Sequence, residues 1–441
     1  MIHILGAIFW IIIGTSRLRL HPLICLFTAS IWVGMAGGFG FIKSMEEFIS
    51  GFGGLIGQIG LIIILGCILG VVLEKSKAAF VLANSIWHSL GRKIPALSTA
   101  FMGYIVGIPV FCDSGFILLN PIGKNLAKTS GISPVTFSLS LAGGLYLSHI
   151  LIPPTPGPLA VAGIMKMEKN LGLILMVGFA ISIPVFIVIT WWANRFRNSF
   201  PADTKENLKE PLNESRQPNT FWPLLVIVLP LLLITLANLS HFTGNQTAIQ
   251  FLQIIGHPIV AISIGLIIGL LFLKDIHTQN SLLEISFKNG IETAGPILIL
   301  TGAGAGFGAI LRQAGLEEIF QRWQLSGDSG GAFWLMIAFA LAAFLKTAQG
   351  SSTSAMIITA SIALSIIPSA FLAEDIYSVL VISSIGAGAM AISHANDSYF
   401  WIIKEFTGLT VKEALRSFSL LTAWMSLTAL LAILVIYWVV G

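Results

Sequence analysis

The chain has 441 residues, of which 55% are hydrophobic and only 10% are charged. Soluble domains carry about 25% charged residues, and a long soluble protein with so few charges would aggregate. The composition therefore excludes an ordinary soluble protein and predicts an all-α polytopic membrane protein.

Apolar runs close to the ~20 residues that cross a bilayer recur along the whole chain, and we expect about eleven spans. The clearest runs are Leu55–Leu73, Leu171–Trp192, Phe221–Leu239, Phe251–Leu273 and Phe418–Val440. Near the start, the basic residues Arg17 and Arg19 follow the first apolar run instead of preceding it. This order favours a retained short helix over a cleaved signal peptide.

The three cysteines, Cys25, Cys67 and Cys112, lie in apolar surroundings without CxxC spacing. We interpret them as small core residues and expect no metal or redox site. The longest polar stretch, residues 194–220, contains three prolines that argue against a continuous helix. We interpret it as a cytoplasmic linker between a first half, residues 1–193, and a second half, residues 221–441.

The distribution of basic residues indicates how the chain is oriented. Lys and Arg favour cytoplasmic loops. If Arg17 and Arg19 lie inside, most of the 24 Lys and Arg residues also fall inside. This orientation requires two segments that enter the membrane and turn back as re-entrant hairpins.

The two halves contain related sequence. At an offset of 238 residues, Gly66 matches Gly304. At an offset of 245, the pattern AG-x4-SH occurs twice, in residues 142–149 and 387–394. The charge distribution places the two copies in opposite orientations. Inverted repeats are typical of secondary transporters, whose binding sites lie near the membrane midplane.

Each half contains one candidate for a re-entrant hairpin. The first runs from Pro95 to Leu126, with its tip at Pro109–Gly115. The second runs from Phe333 to about Ile367, with its tip at Lys346–Ser354. Gly, Pro and short polar residues in these tips interrupt helical pairing, and free N–H and C=O groups are tolerated at membrane depth only inside protein or beside water.

A broken helix follows each tip. The first breaks at His149–Pro158, where four prolines cannot continue an α-helix. The second breaks at Ser393–Ser398, where short polar side chains compete for backbone hydrogen bonds. We expect the two tips and the two breaks to bring polar groups together near the middle of the membrane.

Such a site suits a small hydroxy-carboxylate. Hairpin tips and half-helix N-termini present unpaired N–H groups and partial positive charge, which favour a carboxylate, and nearby hydroxyls can bind a polyol chain. The candidate substrate-binding residues are Asp113, Ser114, Gly115, Asn120, His149, Thr155, Lys346, Ser351, Ser352, Thr353, Ser354, His394 and Asn396. The candidate proton-coupling residues are Asp113, Asp397, His149 and His394.

At these residues the chain resembles the gluconate permease (GntP) family of proton symporters. The first break, His149–Pro158, matches the family pattern H-x-x-x-P-P-x-P-G-P. The run Gly115–Leu119 and the basic linker Arg17–Pro22 between two short helices also match, and the resemblance covers essentially the whole chain. The chain departs from the family at Asp113, where many members have Glu, and at Thr155, where the family's sequence PPHPGP has His.

The resemblance implies uptake of gluconate or a related sugar acid across the cell (inner) membrane, with H⁺ as the coupling ion and no cofactor. Some members of the family carry D-serine or glycerate, which are alternative substrates. The family resembles a wider group of ion transporters, which implies a homodimer with a scaffold and a moving transport domain.

Several candidate residues have a structural alternative. An ionised side chain at the bilayer centre costs ~2.5–3.5 kcal/mol, which favours a functional role for Asp113 and Asp397. Both could instead cap the helix that follows, because Asp is a favoured N-cap residue. His149 and His394 are either satisfied core histidines or proton carriers, because histidine titrates near physiological pH.

The remaining candidates also have two interpretations each. Lys346 either attracts the substrate carboxylate or extends its ammonium to the outer surface. Asn120 either faces the site or packs inside the first hairpin. The glycine stripe Gly302–Gly308 indicates tight helix packing in preference to a nucleotide-binding loop, because it lies inside an apolar segment.

The main rival class is a membrane-embedded enzyme that uses His149 or His394 with a nearby Asp as a catalytic pair. The duplication of the polar groups and the lack of a nucleophile motif argue against it. A channel is a third class, but four interrupted segments fit a closed binding site better than a continuous pore. Because the sequence has neither a Walker motif nor a basic nucleic-acid-binding patch, we expect no nucleic-acid partner.

Overall fold

A computed structural model of the chain describes residues 2–91, 94–120, 133–197, 220–239, 246–273, 279–314 and 330–440. Within these ranges the regular structure is entirely helical, and no strand occurs. The predicted all-α class is therefore confirmed.

The helices of the first half are α1 (Ile2–Ser16), α2 (Pro22–Ala36), α3 (Gly40–Lys75), α4 (Ala78–Ile86), α5 (Pro95–Gly107), α6 (112–120), α7 (Pro134–Leu151), α8 (Pro156–Ile164) and α9 (Leu171–Asn194). The helices of the second half are α10 (Phe221–Leu239), α11 (Gln246–Ile255), α12 (Pro258–Phe272), α13 (Gln279–Gln313), α14 (Gly330–Gln349), α15 (Ser352–Ile366), α16 (Ser369–Leu372), α17 (Asp375–Ala389), α18 (Ser398–Thr407), α19 (Val411–Ala414) and α20 (Leu420–Val440). The predicted linker, residues 194–220, lies mostly outside the described ranges.

Six helical segments among the described residues are long and apolar enough to cross a membrane. They are Gly40–Lys75, Pro134–Ile164, Glu168–Asn194, Leu283–Gln313, Gly330–Gln349 and Val411–Val440. Helices α11 and α12, bent by 59°, together form a seventh candidate. The described ranges thus contain fewer full-length spans than the eleven or so expected, because several apolar runs form helices of only 10–17 residues.

Large apolar side chains cover the outside of the protein. Ile183 and Ile187 of α9 are 65% and 66% exposed, and Leu431 and Val435 of α20 are 63% and 62% exposed. Residues four apart lie on one face of a helix, so each pair forms part of an apolar stripe. Such stripes would promote association in water, and they are suited to contact with lipid.

The order and length of the helices repeat between the halves. Helix α3 has 36 residues and α13 has 35, and a shift of 238 residues places one on the other. In each half a hairpin follows, then a helix that ends at a break, a short helix, and a final long helix. The first hairpin arm packs on the helix before the break in both halves, α5 on α7 and α14 on α17. The opposite orientation of the two copies stays a prediction.

The glycine stripe of α13 is a helix-packing surface, as predicted. A Cβ atom on Gly302 would lie 2.8 Å from the ring of Phe52, and one on Gly306 would lie 2.6 Å from the ring of Phe48. Both phenylalanines belong to α3. A Cβ on Gly304 would lie 2.6 Å from Ile357 of α15. The stripe therefore lets α13 approach α3 and the second hairpin closely.

Both hairpin tips are narrower than predicted. In the first, only residues 108–111 between α5 and α6 are non-helical, so Asp113 and Ser114 lie in the first turn of α6. In the second, only Gly350 and Ser351 separate α14 from α15, which leaves Lys346 in the last helical turn. A bend of two to four residues is enough to reverse the chain, so neighbouring polar residues stay helical. Residues 121–126 of the first predicted hairpin lie outside the described ranges.

The two breaks differ in length. The first covers Ile152–Thr155, between α7 and α8, and contains a cis peptide bond between Pro153 and Pro154. The second covers residues 390–397, between α17 and α18, and is longer than the predicted Ser393–Ser398. Within Pro134–Ile164, which includes the first break, the most apolar stretch is entirely buried. The first broken helix therefore lies in the core of the protein.

Candidate functional site

The second break joins the two hairpin tips through polar contacts. The Lys346 ammonium, at the end of α14, donates to Asp397 Oδ2 at 2.6 Å and to the Gly350 carbonyl at 2.7 Å. The Ser398 hydroxyl donates to Asp113 Oδ2 over 3.5 Å. Residues of the first tip, the second tip and the second break therefore form one cluster.

Asp397 is held in place by its position at the start of α18. Its Oδ1 accepts the Tyr399 backbone N–H at 3.0 Å, which makes it the N-cap of that helix. Its Oδ2 also accepts the Ser393 hydroxyl. The capping alternative for Asp397 is thus confirmed, and an ion pair accompanies it. Lys346 is only 1% exposed, so its ammonium does not extend to the surface.

Two buried tyrosines connect the halves around this ion pair. The Tyr146 hydroxyl, on α7, donates to the Ala389 carbonyl at 3.1 Å and accepts from the Ser352 hydroxyl at 2.7 Å. The Tyr399 hydroxyl donates to the Ala142 carbonyl at 3.1 Å. The centroids of the two rings are 5.7 Å apart. The tyrosines therefore tie α7 to both the second tip and the second break.

The first break faces the second tip. A Cβ atom on Gly157 would lie 3.0 Å from Met356 Sδ and 3.9 Å from Thr353 Oγ1. The N-terminus of α8 thus lies against the N-terminus of α15. The first three N–H groups of a helix have no intrahelical partner. Both N-termini carry partial positive charge, a feature that favours anions at helix N-termini in general.

The free donors of these N-termini can be identified from the sequence. Pro156 and Pro158 have no N–H, so Gly157 supplies the donor in the first turn of α8. At the start of α15, the Ser351 hydroxyl accepts the Ser354 N–H at 3.3 Å. The N–H groups of Ser352 and Thr353 remain without an intrahelical partner.

His149 lines a narrow cavity between the first tip, the first break and α3. The cavity is also lined by Phe111, Thr155 and Cys67, and its volume of about 10 Å³ is room for one water. His149 is 8% exposed, and its Nδ1 atom has no hydrogen-bond partner among the described residues. A sugar acid needs far more space, so this cavity does not hold one in the present conformation.

Other predicted residues have mainly structural contacts. Asn120 donates to the Phe406 carbonyl of α18 at 3.4 Å and accepts from the Ser138 hydroxyl of α7 at 2.6 Å, so it ties the second arm of the first hairpin to these two helices. A Cβ on Gly115 would lie 2.7 Å from Leu145 Cδ2, which shows how closely α6 approaches α7.

The two histidines of the repeated motif have different environments. His149 lies buried in the last turn of α7, whereas His394 lies in the second break and is partly exposed. His394 Nε2 is 2.9 Å from the Thr347 carbonyl, and the exposed Asn396 amide donates to the same carbonyl at 2.7 Å. His394 and Asn396 therefore hold the second break against the end of α14.

Sequence reasoning missed Tyr146, Tyr399, Ser393 and Ser398 as parts of the cluster. Tyr146 lies three residues before His149 on the same helix, a spacing that could have indicated a shared face. Ser393 and Ser398 lie inside the predicted break but were not singled out. Within the described ranges, no group of three His, Cys, Asp or Glu side chains is arranged to bind a metal ion.

Comparison with known proteins agrees with this architecture. The profile of the GntP family permeases matches residues 1–439. The inner membrane permease YgbN of Escherichia coli (strain K12) is 30% identical, over 97% of this chain and 96% of its own length. A gluconate permease of Zymomonas mobilis is also 30% identical, over 98% of this chain and 96% of its own.

A solved structure shares the fold at low sequence identity. The Neisseria gonorrhoeae transporter MtrF, described as one of a class of antimetabolite efflux pumps, aligns with a TM-score of 0.70 over 96% of both chains, at 13% identity. The family profile, the inner membrane relative and the apolar helices identify the chain as a multi-pass inner-membrane transport protein and not an enzyme. Because the family profile matches residues 1–439, the chain belongs to the GntP permease family.

Proposed function

We propose that this permease imports gluconate, or a related small hydroxy-carboxylate, by proton symport. The observation that carries the proposal is the pair of facing helix N-termini, in a protein region that also contains a hydroxyl-rich tip and, at Asp113, a carboxylate without an ion pair among the described residues. The similarity to the gluconate permease of Zymomonas mobilis supports the substrate class. Glycerate and D-serine are the alternative substrates.

The substrate carboxylate is assigned to the junction of the α8 and α15 N-termini, which lie against each other in this conformation. The N–H groups of Gly157, Ser352 and Thr353 provide donors there, and charged acceptors bind such donors more strongly than neutral ones. The Thr353 hydroxyl lies beside them and can both donate to and accept from a polyol chain. The Thr155 hydroxyl donates to the Ile152 carbonyl, so it can accept from the chain.

The coupled proton is assigned to Asp113. This carboxylate forms no ion pair within the described ranges, and its contacts are the Ser398 hydroxyl at 3.5 Å and the Cys112 thiol at 3.6 Å. By contrast, Asp397 accepts three hydrogen bonds, which come from the Lys346 ammonium, the Ser393 hydroxyl and the Tyr399 N–H. Protonation of Asp397 would weaken these contacts, whereas protonation of Asp113 weakens only two long ones.

Charge balance explains why an anion would need a proton at this site. The cluster contains one cation, Lys346, and two carboxylates, Asp113 and Asp397. A monocarboxylate adds a further negative charge in a region of low dielectric constant, where repulsion is strong. A proton on Asp113 removes one negative charge as the substrate brings one. His149, which faces the cavity, is the second candidate for this proton.

Proteoliposomes with an imposed pH gradient test the proposal. Labelled gluconate should accumulate unchanged when the outside is acidic, and a protonophore should abolish the accumulation. Uptake that does not respond to the pH gradient would contradict proton coupling. Uptake of labelled glycerate or D-serine without uptake of labelled gluconate would contradict the proposed substrate.

A further inference from the structure

The ion pair of Lys346 and Asp397 lies where the second tip docks on the second break. The two side chains are 1% and 7% exposed. A Cβ atom on Gly350 would lie 2.0 Å from the Asn396 carbonyl oxygen, so the backbones of tip and break are in direct contact. The ion pair therefore links two elements that are separate in the sequence.

Stability alone does not account for this pair. The desolvation of two buried charges can cost more than their attraction returns, and apolar replacements of buried ion pairs are often neutral or stabilising. Ionisable side chains at membrane depth are rare and are commonly found on substrate or ion pathways. The pair therefore calls for a functional explanation.

The two partners would differ in what they retain after separation. Asp397 would keep the Ser393 hydroxyl and the Tyr399 N–H, at a helix N-terminus that favours negative charge. Lys346 would keep the Gly350 carbonyl at 2.7 Å and the ring of Tyr146, whose centroid is 5.8 Å away. Asp397 thus keeps two hydrogen-bond donors after separation, whereas Lys346 keeps no anionic partner.

A substrate carboxylate can reach this ammonium from the proposed binding site. Ser352, which supplies one of the free N–H groups, lies two residues after Gly350. The Ser352 hydroxyl also bonds to Tyr146, whose ring lies beside the ammonium. One carboxylate group has two oxygens, so it can contact the start of α15 and Lys346 together.

We propose that the Lys346–Asp397 ion pair is an exchangeable latch, in which the substrate carboxylate replaces Asp397 on the Lys346 ammonium. The exchange removes the charged contact between the second tip and the second break and leaves the hydrogen bonds of His394 and Asn396 to the Thr347 carbonyl. Binding of the substrate and loss of the charged contact are therefore one event. This inference rests on the proposed function, because it requires an anionic substrate.

The thermal stability of the purified protein in detergent tests the latch. In Asp397→Asn, Lys346 has lost its carboxylate, so gluconate should raise the unfolding midpoint of this variant more than that of the wild type. Acetate, a carboxylate without a polyol, should also stabilise Asp397→Asn. Glucitol, a polyol without a carboxylate, should not. The double variant Lys346→Met/Asp397→Leu has neither charge and should lose the shift produced by gluconate.

The possible results of this experiment either support or overturn the latch. Equal gluconate shifts in the wild type and Asp397→Asn, with no effect of acetate on the variant, overturn the latch. If Asp397→Asn does not fold, the double variant decides, because a wild-type gluconate shift there also overturns it. If acetate stabilises Asp397→Asn while gluconate leaves the wild type unchanged, the latch is supported and the proposed substrate fails.

A matched control separates the latch from general loosening of the core. Tyr104→Phe removes another buried hydrogen bond, between the Tyr104 and Ser182 hydroxyls at 2.9 Å. This variant should keep the wild-type response to all three ligands. If acetate raised the unfolding midpoint of Tyr104→Phe more than that of the wild type, stabilisation by acetate would not be specific to Lys346. That result would overturn the latch.

Discussion

Gly350 determines how closely the second tip approaches the second break, so Gly350→Ala tests whether that contact is required for transport. Its φ angle of 83° lies in the left-handed region, which costs an L-residue ~1–2 kcal/mol. An alanine Cβ would also lie 2.0 Å from the Asn396 carbonyl oxygen. Close carbon–oxygen contacts are ordinarily ~3.3 Å or longer, so the tip must withdraw by about 1 Å.

That displacement predicts a large loss of function. In enzymes, a displacement of about 1 Å in a positioned group can cost about 100-fold in activity, and we expect a comparable fall in the initial rate of gluconate uptake. The assay is uptake into proteoliposomes at low substrate concentration, with unfolding in detergent measured in parallel.

Gly408→Ala is the matched control. Gly408 has a φ angle of 72°, and nothing lies within 4 Å of its Cβ position. This variant therefore has the same backbone strain, ~1–2 kcal/mol, without the steric clash. Its uptake rate should stay close to that of the wild type. Equal uptake rates in the two variants would refute the claim that tip and break must dock.

Three further variants test other parts of the site. Asp113→Asn should abolish accumulation driven by a pH gradient while leaving folding intact, because an amide cannot carry the coupled proton; wild-type accumulation would remove Asp113 from the coupling step. Tyr146→Phe should lower the unfolding midpoint by an amount equivalent to ~1–3 kcal/mol, because Ser352 loses a buried partner, and it should raise the half-saturating gluconate concentration. Tyr104→Phe should leave that concentration unchanged, and equal changes in both variants would count against a role of Tyr146 in the site. Ser351→Ala/Ser352→Ala should also raise it, and an unchanged value would count against the second tip as a ligand surface.

The helix interruptions could be predicted because their causes are local. Proline lacks an N–H and clashes with the preceding turn, so the run of prolines after His149 predicts a break wherever the segment lies in the fold. Gly350 adopts a positive φ angle, which only glycine adopts easily, and it marks the second tip. The matching glycines indicate an offset of 238 residues between the halves. At this offset the structure places two helices of nearly equal length, α3 and α13.

The pairing of side chains across the site could not be predicted in the same way. Lys346 and Asp397 were each identified as candidates, but 51 residues separate them, and nothing local indicates that the two side chains meet. Whether they meet depends on the packing of α14 against the second break. The environments of His149 and His394 could not be predicted either, because their shared sequence motif gives no information on burial. His149 is buried and lines the narrow cavity, whereas His394 is partly exposed and contacts the Thr347 carbonyl.

The central claim is that the two tips and the two breaks form a single binding site, and a structure with bound gluconate tests it most directly. We predict density between the N-termini of α8 and α15, with the carboxylate within ~3 Å of the Gly157 or Thr353 N–H. Gluconate bound instead in the open polar cavity between α3 and α13, which is lined by Glu74, Asn289 and Glu292, would contradict the account.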